Sequence, residues 1–147
     1  MLDPIAAALE MLDAEAPKKG ITALAAHEND HRRRSYNVPT MNGRNQIVHC
    51  SAVADSLFGE RLDLFSTAVR ELPQVPQLLT GLLAAARDFR RARICVFDPH
   101  HPSLSVVASF VPNELHEGAG SRLLHALREV AAIADSLENQ LTGGDIE

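Results

Sequence analysis

Seven histidines are the residues of this sequence most open to metal chemistry. Side chains that can bind a metal are grouped in two places. One is a predicted turn that contains Asp98, His100 and His101, and the other is formed by His27, His31 and His49, which could meet across adjacent strands. A zinc site needs three or four ligands in tetrahedral geometry, and no His-x-x-x-His or Cys-x-x-Cys spacing fixes two of them. We therefore predict ordinary surface imidazoles, with no metal and no cofactor. A small ligand- or metal-sensing domain that uses the histidines is the alternative function.

The two cysteines are the candidate nucleophiles, because a thiol beside a histidine is a simple covalent catalyst. His49 directly precedes Cys50, but neighbours on a strand point to opposite faces, so these two side chains do not meet. Cys95 lies in an apolar stretch that disfavours ionisation of its thiol. No serine stands in a Gly-x-Ser-x-Gly turn. We predict no catalytic residues and no enzyme, with two free, buried thiols of the kind found in a reducing compartment.

Gly118, Ala119 and Gly120 precede a predicted helix, where free backbone amides can bind an anion. The longer glycine pattern of a phosphate-binding loop is missing. A simple helix entry is the preferred interpretation.

Two clusters of arginines are candidates for an acidic partner. One is Arg32 to Arg34 in a polar stretch, and the other lies around the end of a predicted helix and comprises Arg87, Arg90, Arg91 and Arg93. Cations at a helix end complement its dipole, so we interpret both clusters as solvated or helix-capping. An acidic partner segment or nucleic acid is the alternative. A net charge of −5 and the absence of tryptophan argue against nucleic acid.

The composition is that of one globular domain. The 147 residues are 46% hydrophobic and 22% charged, which supplies enough apolar material for a core. No apolar run approaches the ~20 residues that span a bilayer, and no basic region precedes an apolar run at the N-terminus. We predict a single domain over residues 1–147, located in the cytoplasm, with no membrane partner.

Helix signals are clear at the two ends of the chain. Asp3 is a good N-cap and Pro4 suits the first helical position of a helix with one apolar face, formed by Ile5, Ala8, Leu9 and Leu12. Residues 121–141 predict a closing helix with an apolar seam made of Leu123, Leu127, Val130, Ala134, Leu137 and Leu141. Gly143 and Gly144 release a tail, frayed over residues 142–147.

Strand patterns fill much of the middle. Residues 21–27, 46–54 and 61–72 predict three strands, and residues 93–98 and 104–111 predict a hairpin. Residues 28–45 are interpreted as a flexible loop, with an insertion or an edge or irregular strand over residues 35–41 as the alternatives, because Pro39 is not expected in a central strand. Ser56 to Glu60 is predicted only as a connection. With a helix over 75–90, the order is α-β-β-β-α-β-β-α, an α+β fold with an antiparallel sheet.

The predicted helix over residues 75–90 has an apolar stripe wider than one sheet face requires. One line of side chains can cover the sheet while a neighbouring line meets a symmetry mate. We predict a homodimer interface on this helix formed by Leu78, Leu79, Leu82, Leu83 and Ala86. Burial of the helix on two sides within one monomer is the alternative.

The segment Gln77-Leu78-Leu79-Thr80-Gly81-Leu82-Leu83-Ala84-Ala85-Ala86-Arg87-Asp88-Phe89 resembles the middle helix of YbjN-family proteins, and Arg91-Ala92-Arg93-Ile94-Cys95-Val96-Phe97-Asp98 is similar to their next strand. The element order likewise resembles the type III secretion chaperone-like fold. The resemblance covers roughly the second half of the chain and implies a homodimer with a protein or peptide partner. Secretion chaperones bind an extended segment of their client, and YbjN-like proteins are described as sensory or regulatory. The expected function is therefore a non-catalytic binding module, chaperone-like or a bacterial regulator.

Overall fold

A computed structural model describes residues 3–24, 30–69, 91–97 and 103–142. These residues form an antiparallel sheet of six strands and two α-helices, which confirms the predicted α+β class. The elements in chain order are α1 (Pro4–Glu15), β1 (Thr22–Ala23), β2 (Arg33–Pro39), β3 (Asn45–Asp55), β4 (Gly59–Val69), β5 (Arg93–Phe97), β6 (Ser103–Phe110) and α2 (Ala119–Thr142).

The strands lie in the order β1-β2-β3-β4-β6-β5, and every neighbouring pair is antiparallel. Across the centre of the sheet, Cys50 lies opposite Leu64, which in turn lies opposite Ala108. All three are buried in one apolar cluster, as expected for residues that share a sheet face. The long β3–β4 hairpin therefore holds the middle of the sheet.

The first helix forms as its sequence predicts. Asp3 accepts a hydrogen bond from the N–H of Ile5 at 3.0 Å, so the N-cap is confirmed. The predicted apolar face is buried in full and consists of Ile5, Ala8, Leu9 and Leu12.

The closing helix α2 lies on the same sheet face as α1 and contacts β2, β3, β4 and β6. Its predicted seam is confirmed, with Leu123, Leu127, Val130, Ala134 and Leu137 buried and Leu141 half-buried. The two helices approach closely where Gly120 meets Met11. A Cβ atom on Gly120 would lie 2.9 Å from the Met11 Cβ, so only glycine fits there.

The loop interpretation of residues 28–45 is wrong for residues 33–39, where the strand alternative holds. Residues 33–39 form β2, which pairs with β3 along its whole length, and Met41–Gly43 is a 3₁₀ turn. Burial of Tyr36 and Val38 on the core face drives this strand. Pro39 ends it beyond the two residues that pair with β1, so its missing N–H faces an unpaired edge, where proline is tolerated.

The other predicted strands fare differently. Of the strand predicted over 21–27, Thr22–Ala23 pairs with β2, and residues 25–29 lie outside the described ranges. β4 and the β5–β6 hairpin are confirmed close to their predicted bounds. Four strands thus precede residue 70, where three were predicted. The predicted helix over 75–90 and the tail beyond Thr142 lie outside the described residues.

Candidate partner-binding surface

The sheet has one face under α1 and α2 and a second face, called here the outer face. Val48 and Cys50 belong to the core under the helices, so Ile47 and His49 point outward, because side chains alternate along a strand. Ile47 is 47% exposed, and Phe65 on β4 is half-buried directly opposite His49. Neither of the two described helices packs on this face. On β3 and β4 it combines polar groups with partly accessible apolar side chains, whereas Val107 on β6 is buried.

The turn between β3 and β4 presents the largest exposed apolar pair in the described residues. Leu57 is 84% exposed and Phe58 is 55% exposed. Contiguous exposed apolar patches often mark interaction sites, so this adjacent pair is the candidate contact point. We call Ser56 to Gly59 the hairpin tip.

Hydrogen bonds from the backbone to the Asp55 side chain fix the conformation of the hairpin tip. Oδ1 of Asp55 accepts from the N–H of Leu57 and from that of Phe58, both at 2.8 Å. This is the Asx-turn arrangement, in which an aspartate replaces a backbone acceptor. Gly59 closes the turn with φ of +80°, a value that glycine adopts without steric cost.

A chain of charged side chains ties the tip to the middle of the sheet. Arg61 Nη1 lies 3.2 Å from Asp55 Oδ2, and Arg61 Nε lies 2.9 Å from Asp63 Oδ1. On the neighbouring strand β6, the Ser109 hydroxyl donates to Asp63 at 2.6 Å. Asp63 is buried, so this end of the network is held within the sheet. The tip is thereby rigidly connected to two strands.

The electrostatics of this network favour the charged forms. The N–H groups of Phe58 and Leu57, together with Arg61, lower the pKa of Asp55 below its ordinary value. The hydrogen bond to Asp63 raises the pKa of Arg61. Asp55 and Arg61 are therefore both ionised at neutral pH, so the ion pair that holds the hairpin tip is present there.

The histidines within the described ranges stand apart from any metal arrangement. His49 Nδ1 is 2.7 Å from the Ser35 hydroxyl, and its ring packs on Phe65 with centroids 5.3 Å apart. His31 is exposed in the turn before β2. Among the described residues, no three His, Cys, Asp or Glu side chains are grouped to hold a metal ion. The remaining members of the two groups, His27, Asp98, His100 and His101, lie outside those residues.

The predicted separation of His49 from Cys50 is confirmed. Cys50 is buried in the helix-side core, and this burial raises the pKa of its thiol far above the ordinary range. His49 lies on the outer face. Both thiols are free, but Cys95 is half-buried, so the prediction that both are buried is wrong for this residue.

The first arginine cluster is structural, except for Arg33. Arg32 pairs with Asp3 at 2.9 Å and also with Glu60, and Arg34 pairs with Asp13 at 2.9 Å. These pairs join β2 and the turn before it to α1, to its N-cap and to β4. In the second cluster, Arg87 and Arg90 lie outside the described ranges, Arg91 stacks over Phe110, and Arg93 is exposed.

The predicted dimer interface cannot be placed on this surface, because Leu78, Leu79, Leu82, Leu83 and Ala86 all lie outside the described residues. The hairpin tip, by contrast, was missed as a site and predicted only as a connection. Its sequence carries a usable signal. An aspartate, a serine, two large apolar residues and a glycine in succession indicate an Asx-turn that holds apolar side chains in solvent.

Comparison with models of known protein families finds no match, and a search of curated proteins also finds none. Neither of the described helices is both long and apolar enough to cross a membrane.

Proposed function

We propose that this protein is a non-catalytic, homodimeric module of the cytoplasm that binds a protein or peptide partner, with no cofactor. The observation that carries the proposal is the exposure of Leu57 and Phe58 on a turn held by Asp55. Partner contact at the tip explains why two large apolar side chains are both exposed and fixed.

The energetics of the tip suit a binding site. Full burial of a leucine or phenylalanine side chain contributes roughly 1.5–3 kcal/mol, so two such side chains can anchor an interface. A loop that is already ordered loses little conformational entropy when it binds. The Asp55–Arg61 pair supplies that order. Leu57 and Phe58 are thus the anchor residues of the proposed interface.

The outer face extends the proposed contact surface along β3 and β4. Ile47 is exposed there, beside half-buried His49 and Phe65, so an extended peptide finds both apolar contacts and hydrogen-bonding groups. At the far end of the sheet, no described strand pairs with the outer side of β5. A peptide can also add to such an edge as a further strand.

The homodimer and the type III secretion chaperone-like fold belong to the same proposal. A first helix, antiparallel strands, a hairpin and a long closing helix are all present in the described residues, in agreement with that fold. The apolar stripe predicted over residues 75–90 supports dimerisation through Leu78, Leu79, Leu82, Leu83 and Ala86. The YbjN-like resemblance of the same segment adds to this support.

Peptide selection tests partner binding. A displayed random-peptide library is selected on wild type alone, and the selected peptides are then tested against the Leu57→Ser/Phe58→Ser double variant. The proposal predicts that these peptides bind wild type and Met41→Ser but not the double variant. Met41→Ser is the matched control, because Met41 is 75% exposed elsewhere on the surface. Selected peptides that bind all three proteins equally would contradict a site at the tip.

Light scattering tests the homodimer separately. The proposal predicts a wild-type mass near twice 16.0 kDa and a monomer for Leu82→Glu, with circular dichroism confirming that the variant is folded. A monomeric wild type contradicts the homodimer. A dimer that dissociates in Leu57→Ser/Phe58→Ser and persists in Leu82→Glu would make the tip a self-interface instead.

A further inference from the structure

β5 (Arg93–Phe97) forms one edge of the sheet. Among the described strands it pairs with β6 alone, so one row of its backbone N–H and C=O groups has no partner strand within the described residues. Such a row is a template on which another extended chain can pair. The residues that carry this row follow from the geometry of the sheet.

Ser35 on β2 shows which way the backbone groups point. Its side chain lies on the outer face, beside His49, and its C=O accepts from the N–H of Leu24 at 2.8 Å, on the β1 side of the strand. In a strand of L-residues, the face taken by a side chain fixes the side to which that residue's N–H and C=O point, because both alternate together along the chain. An outward-facing residue on any strand parallel to β2 therefore directs its backbone groups toward the β1 end of the sheet.

β5 is parallel to β2, because four antiparallel pairings separate the two strands. Ile94 packs against the core under the helices, so its neighbour Cys95 faces outward. By the rule that Ser35 illustrates, the backbone groups of Cys95 point toward β6. Those of Ile94 and Val96 point away from the sheet and form the free row.

The side chains beside this row are apolar. Val96 is 54% exposed, and Ile94 is half-buried. Native proteins protect an edge strand with charged residues, proline or a bulge. Within β5 the one charged residue is Arg93, at the first position, and the strand contains no proline. The middle of this edge is thus open to pairing.

We propose that β5 pairs with the β5 strand of a second copy of this chain about a two-fold axis at Cys95, which joins the two six-stranded sheets into one. This inference rests on the proposed homodimer and specifies how its subunits meet. In the antiparallel pair, Ile94 of each copy lies opposite Val96 of the other. Opposed residues whose backbone groups face each other exchange two hydrogen bonds, so the two Ile94–Val96 pairs supply four.

The side chains favour this register. It keeps all five residues of β5 paired and places apolar Ile94 and Val96 opposite each other on the helix side, where the exposed Val96 gains a neighbour. On the outer face, Arg93 lies opposite Phe97. The two arginines are therefore kept apart, which matters because like charges directly opposite destabilise a strand pair.

The strand pair works together with the interface predicted on residues 75–90. Five paired residues are too few for the roughly 1,200 Å² that a stable interface buries, so a second contact region is required. The apolar stripe predicted over residues 75–90 ends just before β5 and supplies that region. In such a dimer the β5 edge is closed to peptides, and the hairpin tip and the outer face remain for the partner.

Cysteine crosslinking of the full chain tests the pairing. At the axis the two Cys95 residues form a non-hydrogen-bonded pair with Cα atoms about 4.5 Å apart, which is within the range of disulfides. Oxidation by air and copper phenanthroline is expected to give a covalent dimer on a non-reducing gel. Cys95→Ser should give none, because Cys50 is buried. A mass near twice 16.0 kDa by light scattering without the covalent dimer would overturn the strand pairing and leave the homodimer standing, whereas a monomer would overturn both.

The register has its own control in Arg93→Cys/Cys95→Ser. Arg93 is exposed on the same face of β5, but four residues at ~3.3 Å separate the two copies of position 93 along the pair, about 13 Å in all. This variant should not crosslink. Equal crosslinking of wild type and this variant would overturn the register.

A charge exchange at Cys95 gives an independent readout. Cys95→Lys and Cys95→Glu each place two like charges at the axis, so each is expected to weaken dimerisation about tenfold, and an equimolar mixture should restore it. Met41→Lys and Met41→Glu are the controls at an exposed position outside β5 and should dimerise as wild type does. Unchanged dimerisation of Cys95→Lys, shown to be folded by circular dichroism, would overturn the proposal. The hairpin-tip variants should crosslink as wild type does, so this test is independent of the peptide site.

Discussion

Arg44 and Asp135 form a two-point ion pair between residues 91 positions apart in the chain. Arg44 Nε lies 3.0 Å from Asp135 Oδ1, and Nη2 lies 2.8 Å from Oδ2. Arg44 belongs to the turn between β2 and β3, whereas Asp135 is buried on α2. The pair therefore fastens that turn to the closing helix.

Asp135→Asn is expected to destabilise the protein by roughly 2–4 kcal/mol, because it leaves the guanidinium of Arg44 beside a neutral amide in a largely buried site. Chemical denaturation measures the loss in the free energy of unfolding. Glu10→Gln, which neutralises an exposed carboxylate on α1, should change that free energy by less than about 0.5 kcal/mol. Equal effects of the two substitutions would contradict a special role for the pair.

Gly120→Ala is expected to destabilise the protein by about 1–3 kcal/mol, although alanine is the better helix former. The added Cβ would lie 2.9 Å from Met11 Cβ and 3.2 Å from the Met11 carbonyl oxygen, so α1 must shift. Thermal unfolding measures the change, with Ser121→Ala at the neighbouring exposed position as the control. A more stable Gly120→Ala variant would show that the helices are less closely packed.

The lowered pKa of Asp55 determines how the hairpin tip is expected to respond to acid. Its pKa is lowered from 3.8 by the N–H groups of Phe58 and Leu57 and by Arg61. A carboxyl whose folded-state pKa is depressed contributes stability above its unfolded pKa and loses it as the pH falls through the folded-state pKa. The amide resonances of Leu57 and Phe58 should therefore titrate with a midpoint below pH 3.8. A midpoint at or above that value would show that the Asx-turn is not formed.

Two substitutions of Asp55 separate its roles. Asp55→Asn keeps an oxygen that accepts from the two N–H groups but loses the charge that pairs with Arg61. Asp55→Ala loses both. We expect amide exchange at Leu57 and Phe58 to accelerate modestly in the first variant and strongly in the second. Identical exchange in both variants would assign the rigidity of the tip to something other than the Asx-turn.

Helices are predicted correctly from the sequence where the local helix signals and the burial of apolar side chains in the core point to the same structure. The N-cap at Asp3 and the apolar face of α1 are recognisable from neighbouring residues alone, and the apolar seam of α2 repeats at helical spacing. β2 was left only as an alternative to a loop, because the arginines at its start and Pro39 at its end obscure a short alternation. Those arginines are accommodated by ion pairs between distant residues, such as Arg34 with Asp13. Local patterns carry no information about such pairs.

The candidate site was less predictable than the fold. Local spacing indicates a turn at Asp55 to Gly59, but the exposure of Leu57 and Phe58 depends on how far the hairpin extends beyond the core. A small cleft between the end of β6 and the first turns of α2 is lined by residues from three separate segments, among them Arg91, Phe110 and Arg122. The relative positions of such segments are set by tertiary packing and not by sequence spacing.

The most direct test of the proposed function is the affinity of one selected peptide, measured by isothermal titration calorimetry. The account predicts that Leu57→Ser/Phe58→Ser weakens binding at least about 30-fold, as expected for the loss of two anchors. Met41→Ser should bind as wild type does, and the free energy of unfolding should stay within about 0.5 kcal/mol for both variants. Unchanged affinity of the folded double variant would contradict the tip as the partner-binding site.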